Sequence, residues 1–266
     1  MECDSVGLSS IQIQDLKTAF LVTDDNPLVG VEGRCRLLQS LGKVLEANPK
    51  FFLYDGVSRP GNLIYYLINH PDTVKSGEMY ETSIDTLWTV VIDGFAGVWP
   101  ETRTIVDGVS LGDVWPCKAM LSIEKDLGLP SSGLVCFHKL SQWLTYSLME
   151  PLLGHIKFTS KSKLTGLAEY RNGGLFIDYG VLVPKVPFQP PYNVYDDLVV
   201  EWRALTVALL DLVGQQVRLK LGKTEEEFPL VVCLEAGTWK AGREIAKKLR
   251  SGMGPPFAII SDGTVF

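Results

Sequence analysis

Hydrophobic residues recur along most of this chain at the three- and four-residue spacing of amphipathic helices, which predicts a mainly helical fold. The clearest stretch starts at Asn26, a capping residue, and Pro27, which suits a first turn, and it stops at Asn48-Pro49. Its apolar stripe consists of Leu28, Val31, Cys35, Leu38 and Leu45. We therefore expect a helix over residues 26–48.

Further segments show the same periodicity and are predicted to be helical: residues 63–68, 83–100 with Ser83 as the cap, 134–152, 196–222, and 226–250 with interruptions at Gly237 and Gly242. In residues 134–152 the predicted apolar side carries Phe137, Leu140, Leu144 and Leu148. A polar row of His138, Gln142 and Thr145 lies on another side of the same predicted helix. For residues 196–222 the predicted core stripe is Leu198, Trp202, Leu205, Leu209 and Leu212.

Strand signals are few and short. Asp107-Gly108 lies between short β-branched runs, which predicts a hairpin. Residues 258–260 precede a Ser-Asp-Gly-Thr turn and are expected to form a short strand. We predict one mainly α domain over residues 1–266, a single helical domain with a small β-hairpin.

Composition narrows the classes of function. The net charge of −6 argues against a protein that follows a nucleic-acid backbone, because such a protein needs a basic face. We expect a soluble cytoplasmic protein, because no basic-then-apolar leader and no run of roughly 18 apolar residues occurs. The cysteines lack the spacing of a zinc site and are read as free thiols: Cys3, Cys35, Cys117, Cys136 and Cys233.

The densest candidate chemistry lies in "LTGLAEYRNGGLFIDYG", residues 164–180. If the glycines Gly173 and Gly174 end a helix, Glu169 and Arg171 lie where a ligand can approach the backbone. Glu169 could then orient a water and stabilise a cationic transition state, while Arg171 holds a phosphate. The alternative is an exposed ion pair beside a turn.

His138 and Lys139 are a second candidate pair, since histidine can donate a proton near neutral pH and lysine binds phosphate. The alternative is a histidine hydrogen-bonded within the core. Asp178 and Glu201 each lie in an apolar segment, where a carboxylate needs a partner or a function. Arg203 or Arg171 could be that partner. The usual nucleotide and metalloprotease motifs, GxxxxGK[ST], GxGxxG after a strand and HExxH, are absent.

Seven ordered blocks resemble the uracil catabolism protein four family of fungi and bacteria: "DNPLVGVEGRCRLLQSLGK", "VDGVSLGDVWP", "FHKLSQWLTYSLMEPL", "LTGLAEYRNGGLFIDYGVLVP", "DLVVEWRALTVALLD", "EFPLVVCLEAGTWKAGR" and "ISDGTVF". The similarity runs from Leu16 to Phe266. It implies a role in pyrimidine degradation, in which uracil is attached to ribose phosphate, its ring is opened by a cyclohydrolase-like partner, and urea is released. Family members carry a further helical segment upstream, so the chain is expected to be a truncated form with part of its pocket missing.

A more distant similarity, through "LTGLAEYR", "GVL" and "EWRA", is to the queuosine salvage nucleosidases, helical relatives of helix-hairpin-helix DNA glycosylases. It implies that fold and a catalytic carboxylate at Glu169, where those enzymes have aspartate. The two similarities together imply a metal-independent, cofactor-free N-glycosidase that cleaves ribosylurea or its 5-phosphate.

The implied roles follow residue by residue. Glu169 stabilises the sugar cation and positions water, and His138 or a bound water protonates the departing urea. Lys139 or Arg171 holds the phosphate, and Glu201 orients one of these groups. The other expected substrate contacts are Gln142, Gly173, Gly174, Asp178 and Arg203.

Two other classes stay open. One is a non-catalytic binding or scaffold protein that presents the ring-opened intermediate to a pathway enzyme. The other is an amidohydrolase, which usually needs a metal cluster or an activated serine or cysteine; the three histidines are too scattered to indicate one.

Overall fold

The computed structural model describes residues 2–28, 30–100, 103–159, 170–187, 191–251 and 254–260. The chain forms two compact units. Unit 1 comprises residues 1–101 and 143–160, and unit 2 comprises residues 102–142 and 161–266. The expectation of one domain over residues 1–266 stays a prediction.

Unit 1 is built mainly from short helices: α1 (Ser5–Ser10), α2 (Ile13–Ala19), α3 (Val31–Ala47), α4 (Pro49–Phe52), α5 (Leu63–Ile68) and α6 (Ile84–Thr89). A 3₁₀ turn over Pro60–Asn62 leads into α5. A π-helical segment, Val90–Gly94, and a 3₁₀ turn, Ala96–Val98, follow α6. The close packing of α1 on α3 depends on Gly42, since a side chain there would collide with Ser5 and Ser9.

The strands of unit 1 are also short: β1 (Leu53–Tyr54), β2 (Val57–Ser58), β3 (Val74–Ser76), β4 (Met79–Ser83) and β9 (Ile156–Thr159). β1 and β2 form a hairpin. β4 lies between β3, which is antiparallel to it, and β9, which is parallel to it with Tyr80 opposite Ile156. This three-stranded sheet was not predicted, because each strand is too short to show a clear alternation.

Unit 2 contains the helices α7 (Lys118–Glu124), α9 (Tyr170–Asp178), α10 (Asp197–Leu221), α11 (Leu230–Val232) and α12 (Lys240–Leu249). α8 (Lys139–Leu152) begins in unit 2 and ends in unit 1. A π-helical segment, Cys233–Trp239, joins α11 to α12. The strands of unit 2 pair as β5 (Ile105–Val106) with β6 (Val109–Ser110), β7 (Val114–Pro116) with β8 (Leu134–Cys136), and β10 (Tyr192–Asn193) with β11 (Ile259–Ile260).

α10 is the helix against which most of unit 2 packs. It starts after Asp196, whose carboxylate accepts a hydrogen bond from Asn193 N, and it ends at Gly222 in the left-handed region. One core cluster lies against β7 and β8 and consists of Trp115, Cys117, Phe137, Val194 and Val200. Two others consist of Val199, Trp202 and Phe257, and of Phe176, Leu210 and Leu234.

Several predictions are confirmed. The fold is mainly helical, α5 covers residues 63–68, and Ser83 caps α6 by accepting a hydrogen bond from Asp85 N. Asp107 and Gly108 connect β5 to β6 with φ of 50° and 79°, as a type I′ turn requires. Residues 259–260 form β11. The resemblance to helix-hairpin-helix DNA glycosylases stays a prediction.

Other predicted helices differ from the structure. α3 begins at Val31 rather than at Asn26, because Gly30 adopts a φ of 76° just before it. The segment predicted as one helix over residues 134–152 is β8 followed by α8. Asn172, Gly173 and Gly174 lie inside α9 instead of ending a helix.

The predicted core stripe of α10 is also wrong in part. Leu205 and Leu212 are exposed, whereas the buried positions of this helix are Val199, Val200, Trp202, Arg203, Thr206, Leu210 and Gly214. Residues on several faces are buried because different neighbours pack on different sides of the helix.

Candidate functional site

The first turn of α8 buries polar side chains. Lys139, Ser141 and Gln142 are each less than a tenth exposed, whereas Leu144, predicted to face the core, is 37% exposed. The Gln142 side chain is fixed because its Nε2 donates to Phe137 O at 2.9 Å. Polar groups buried on a helix need partners, so the residues around this end of α8 form the candidate site described next.

Asp113 organises this site. It precedes β7, is fully buried, and accepts four hydrogen bonds through its carboxylate. Oδ1 accepts from Trp115 Nε1 at 2.7 Å and from Arg203 Nη1 at 2.8 Å. Oδ2 accepts from Arg203 Nη2 at 2.7 Å and from the backbone N of Lys139 at 3.1 Å. The carboxylate therefore joins β7, the start of α8 and α10, and its acceptor sites are occupied.

The charge of Asp113 is stabilised by these contacts. Burial alone would raise the pKa of this carboxyl, but the Arg203 guanidinium, the Trp115 indole N–H and the Lys139 amide outweigh burial and hold the pKa below its ordinary value. Asp113 is therefore ionised at neutral pH. A carboxylate with this pKa and these partners positions its neighbours and is poorly suited to accept a proton.

Arg203 is the partner of Asp113 and is 1% exposed. Its guanidinium also lies over the ring of Phe137, with Cζ 3.9 Å from the ring centroid. The predicted role of Arg203 as a substrate contact, or as a partner of Asp178 or Glu201, does not fit this geometry. Its planar fork is already held bidentately by Asp113.

His138 adopts an unusual backbone conformation between β8 and α8. Its φ is 47°, in the left-handed region that a histidine occupies only at a cost. The carbonyl of Asp113 accepts hydrogen bonds from Phe137 N at 3.0 Å and from His138 N at 3.3 Å, which holds the chain in this turn. The Asp113 carbonyl thus fixes the position of His138.

Burial lowers the pKa of His138, and the negative charge of Asp113 opposes that shift only in part. The imidazole is therefore mainly neutral at pH 7, and its protonated form is a stronger acid than an ordinary imidazolium. Arg103, 4% exposed, lies over the Trp115 ring with Cζ 5.0 Å from the centroid. Arg103 thus contacts the same Trp115 whose indole N–H donates to Asp113.

The predicted substrate approach at the two glycines is wrong in the described part of the segment. A Cβ at Gly173 would lie 2.5 Å from Trp202 Cε2 and 2.7 Å from Thr206 Oγ1, and one at Gly174 would lie 3.2 Å from Pro256 Cδ. These glycines let α10 and residue 256 pack closely against α9, so protein atoms occupy the space predicted for a sugar. Glu169, the predicted catalytic carboxylate, lies outside the described residues.

Asp178 pairs with Arg250 rather than with Arg171 or Arg203. Arg250 donates Nη1 and Nη2 to the two Asp178 oxygens at 2.8 and 2.6 Å, which links the end of α9 to the end of α12. Glu201 is exposed on α10, so the expectation that it must find a partner in an apolar environment is wrong. Arg171 lies with its Cζ 4.9 Å from the centroid of the neighbouring Tyr170 ring.

The structure therefore brings together His138, Lys139, Gln142 and Arg203 of the predicted site residues, and it places Arg171, Gly174 and Asp178 in a second group beside α12. Sequence reasoning missed Asp113, Trp115 and Arg103. The signal for Asp113 was present in "GDVWP", since a carboxylate directly before two core residues needs a partner by the argument applied to Asp178.

No group of three or more His, Cys, Asp or Glu side chains in the described ranges is placed to hold a metal ion. Within the same ranges, no helix has both the length and the apolar character needed to cross a membrane.

The whole chain, residues 1–266, matches the family described as "Protein of unknown function (DUF1688)". The chain belongs to this family. It is 41% identical over 285 aligned residues to "Uracil catabolism protein 4" of Lachancea kluyveri, with 97% of this chain and 62% of that protein covered. It is 39% identical over 271 residues to "Protein urg3" of Schizosaccharomyces pombe, with 100% of this chain and 61% of that protein covered.

These relatives confirm the resemblance to the uracil catabolism protein four family. The chain spans about three fifths of the length of the curated relatives it matches.

Proposed function

We propose that this chain takes part in uracil degradation and that it hydrolyses the N-glycosidic bond of ribosylurea or of its 5-phosphate. The observation that carries the proposal is the position of His138. Asp113 holds its backbone in a left-handed conformation, and the buried Lys139 follows it directly in the chain. The name of the Lachancea kluyveri relative supports the pathway.

Bond cleavage would proceed as follows. The bond between C1 of the sugar and the urea nitrogen breaks, its electron pair goes to the nitrogen, and the His138 imidazolium donates a proton to that nitrogen. Water then adds to C1 and loses a proton to Glu169, so that one water is consumed and urea and ribose or ribose 5-phosphate are formed. His138 then recovers a proton from solvent and Glu169 releases the proton it accepted, so both groups return to their starting states. The role of Glu169 in this scheme rests only on the resemblance to the queuosine salvage nucleosidases.

The remaining residues bind or position. A phosphate on the substrate would be held by Lys139 or Arg171, the role that the resemblance implies for them. Asp113 acts through the backbone of residues 137–139 and through Arg203, and is a positioning residue. The hydrogen bonds that Asp113 accepts from residues 137–139 explain why the left-handed conformation of His138, which costs free energy, persists in the folded protein.

Urea release from ribosylurea and from its 5-phosphate tests the proposal. The unaltered protein should release urea from one of these compounds, and His138→Gln should lower kcat/KM by roughly 100-fold, as expected for loss of a general acid. The exposed His155 is a matched control, so His155→Gln should leave the rate unchanged. Equal rates in the two histidine variants would remove His138 from the reaction.

Glu169 needs a separate test. Glu169→Gln removes the charge but keeps the shape, and it should lower the rate by at least as much as His138→Gln. Glu226→Gln, at an exposed position of unit 2, is the matched control. Full activity of Glu169→Gln would remove the carboxylate from its proposed role.

A second candidate is a non-catalytic binding protein of the same pathway. It is favoured by the occupied acceptors of Asp113 and by the protein atoms packed against Gly173 and Gly174. Saturable binding of phosphoribosylurea without urea release, together with co-purification of a cyclohydrolase-like enzyme, would support this candidate against the hydrolase.

A further inference from the structure

A groove in unit 1 has the features of a second ligand site. It has a volume of about 290 Å³ and is lined by α4, α5 and the residues that follow α5. This volume is close to the lower end of small-molecule pockets, roughly 300 Å³. Of the described residues that line the groove, none carries a carboxylate, whereas Lys50 and His70 are basic. The groove is therefore suited to an anion.

The Lys50 ammonium is positioned by rings instead of by an acid. Its Nζ lies 5.0 Å from the centroid of Phe51 and 5.5 Å from that of Tyr66, and no carboxylate of the described residues forms an ion pair with it. The two rings meet edge to face at 4.8 Å, which fixes the surface on which the ammonium rests. A cation that is held over ring faces is not neutralised by a carboxylate, so it can still attract an anion.

Tyr65 supplies a flat surface at the same groove. Its ring stacks on Tyr54 with 3.5 Å between centroids and 8° between planes. Tyr65 lines the groove and Tyr54 does not, so Tyr54 supports one face of the Tyr65 ring from behind. A flat ring in the groove can pack against the supported tyrosine.

The hydrogen-bonding groups of the groove are assigned by their own contacts. Asn62 Nδ2 donates to Phe52 O and to Val57 O, both at 2.8 Å, so its two hydrogens are used and Oδ1 is the atom left to accept from a ligand. His70 Nδ1 accepts from Asp72 N at 3.2 Å and lies 3.7 Å from Asp72 Oδ2, so Nε2 of the neutral ring carries the proton and is the atom that can donate to a ligand. Asn62 Oδ1, His70 Nε2 and Lys50 Nζ thus give the groove an acceptor, a donor and a cation.

We propose that this groove binds a small anion that carries a flat ring with at least one ring N–H. The phosphate or carboxylate lies at Lys50 and His70, the ring packs on Tyr65, and the ring N–H donates to Asn62 Oδ1. Mononucleotides of this kind have the right size and chemistry. The proposal does not depend on the reaction assigned to the site around His138, because its residues lie in unit 1.

Isothermal titration calorimetry of the full chain tests the proposal. The probes are uridine 5′-monophosphate, uridine and ribose 5-phosphate, each titrated separately. We expect the nucleotide to bind at least about tenfold more tightly than either fragment, because only the nucleotide has both ring and phosphate. Fragments that bind as tightly as the nucleotide, or no binding by any probe, would overturn it.

Variants locate the binding. Lys50→Gln should weaken nucleotide binding by about tenfold, as expected for a charge-assisted contact. Lys75→Gln should not weaken it, although Lys75 also lies over a tyrosine ring of unit 1, with Nζ 5.8 Å from the Tyr80 centroid. Lys75 does not line the groove. Binding unchanged by Lys50→Gln would place the nucleotide elsewhere and refute the site.

Discussion

Replacing Asp113 by asparagine should destabilise unit 2 more than the change of one atom suggests. Asp113 and Arg203 are 0% and 1% exposed in their side chains, and two charge-assisted hydrogen bonds of 2.7 and 2.8 Å join them. The introduced amide would keep one acceptor oxygen and turn an NH₂ group toward Arg203 Nη2 and Lys139 N, which are donors. Arg203 would then be buried without a compensating charge.

The magnitude follows from that burial. Removing one partner of a buried ion pair costs about 3–5 kcal/mol, because the remaining charge stays desolvated. We expect a loss of this size in the free energy of unfolding, measured by urea denaturation with tryptophan fluorescence at pH 7. The pKa of Asp113 is depressed, so its contribution is complete above the unfolded value of 3.8 and is lost as the pH falls through the folded value. The difference between the proteins should therefore shrink below about pH 4.

Two variants make the reasoning refutable. Asp197→Asn removes the acid of a pair with Lys118, whose side chain is 84% exposed, and should leave the denaturation midpoint almost unchanged. Adding Arg203→Met to Asp113→Asn removes the unpaired charge and should recover part of the loss. A midpoint for Asp113→Asn equal to that of Asp197→Asn would refute the account of this buried pair.

Three further predictions follow from the packing and the electrostatics. Gly173→Ala should lower the free energy of unfolding by about 1–3 kcal/mol, because the added Cβ would collide with the buried Trp202 indole. Gly237→Ala is the control and should not lower it, because the space around Gly237 is open. Similar urea midpoints for the two variants would contradict this prediction. Asp178→Asn should lower the urea midpoint, because this carboxylate is 4% exposed and pairs bidentately with Arg250. An unchanged midpoint would show that this pair does not stabilise the end of α12. If His138 donates the proton, kcat should rise as the pH falls below 6.5, because the pKa of His138 is depressed. A kcat that rises with increasing pH would indicate instead that His138 acts as a base.

Local sequence signals predicted local structure well. The Ser83 cap and the Asp107-Gly108 turn were read correctly because each depends on backbone geometry that the residues themselves favour. The start of α3 was misplaced because two favourable signals, Asn26 and Pro27, lie upstream of Gly30, which takes the left-handed conformation directly before the helix.

The candidate site was predicted only in part, because its organising contacts are not local. Asp113 and Arg203 are 90 residues apart in sequence, and nothing in either segment indicates that they meet. The chemistry of its imidazole makes His138 a candidate from sequence, but its backbone conformation depends on the Asp113 carbonyl. Gly173 and Gly174 were read as open to a ligand, because sequence cannot distinguish glycine that admits a ligand from glycine that admits a neighbouring helix.

The most direct test of the proposed function follows the anomeric carbon of ribosylurea, labelled with ¹³C at C1, by NMR in the presence of the full chain; the 5-phosphate is examined in the same way. The account predicts that the C1 signal of one substrate is replaced by that of free ribose or ribose 5-phosphate while unlabelled urea accumulates. A C1 signal that never changes, or ammonia release with the C1–N bond intact, would contradict it.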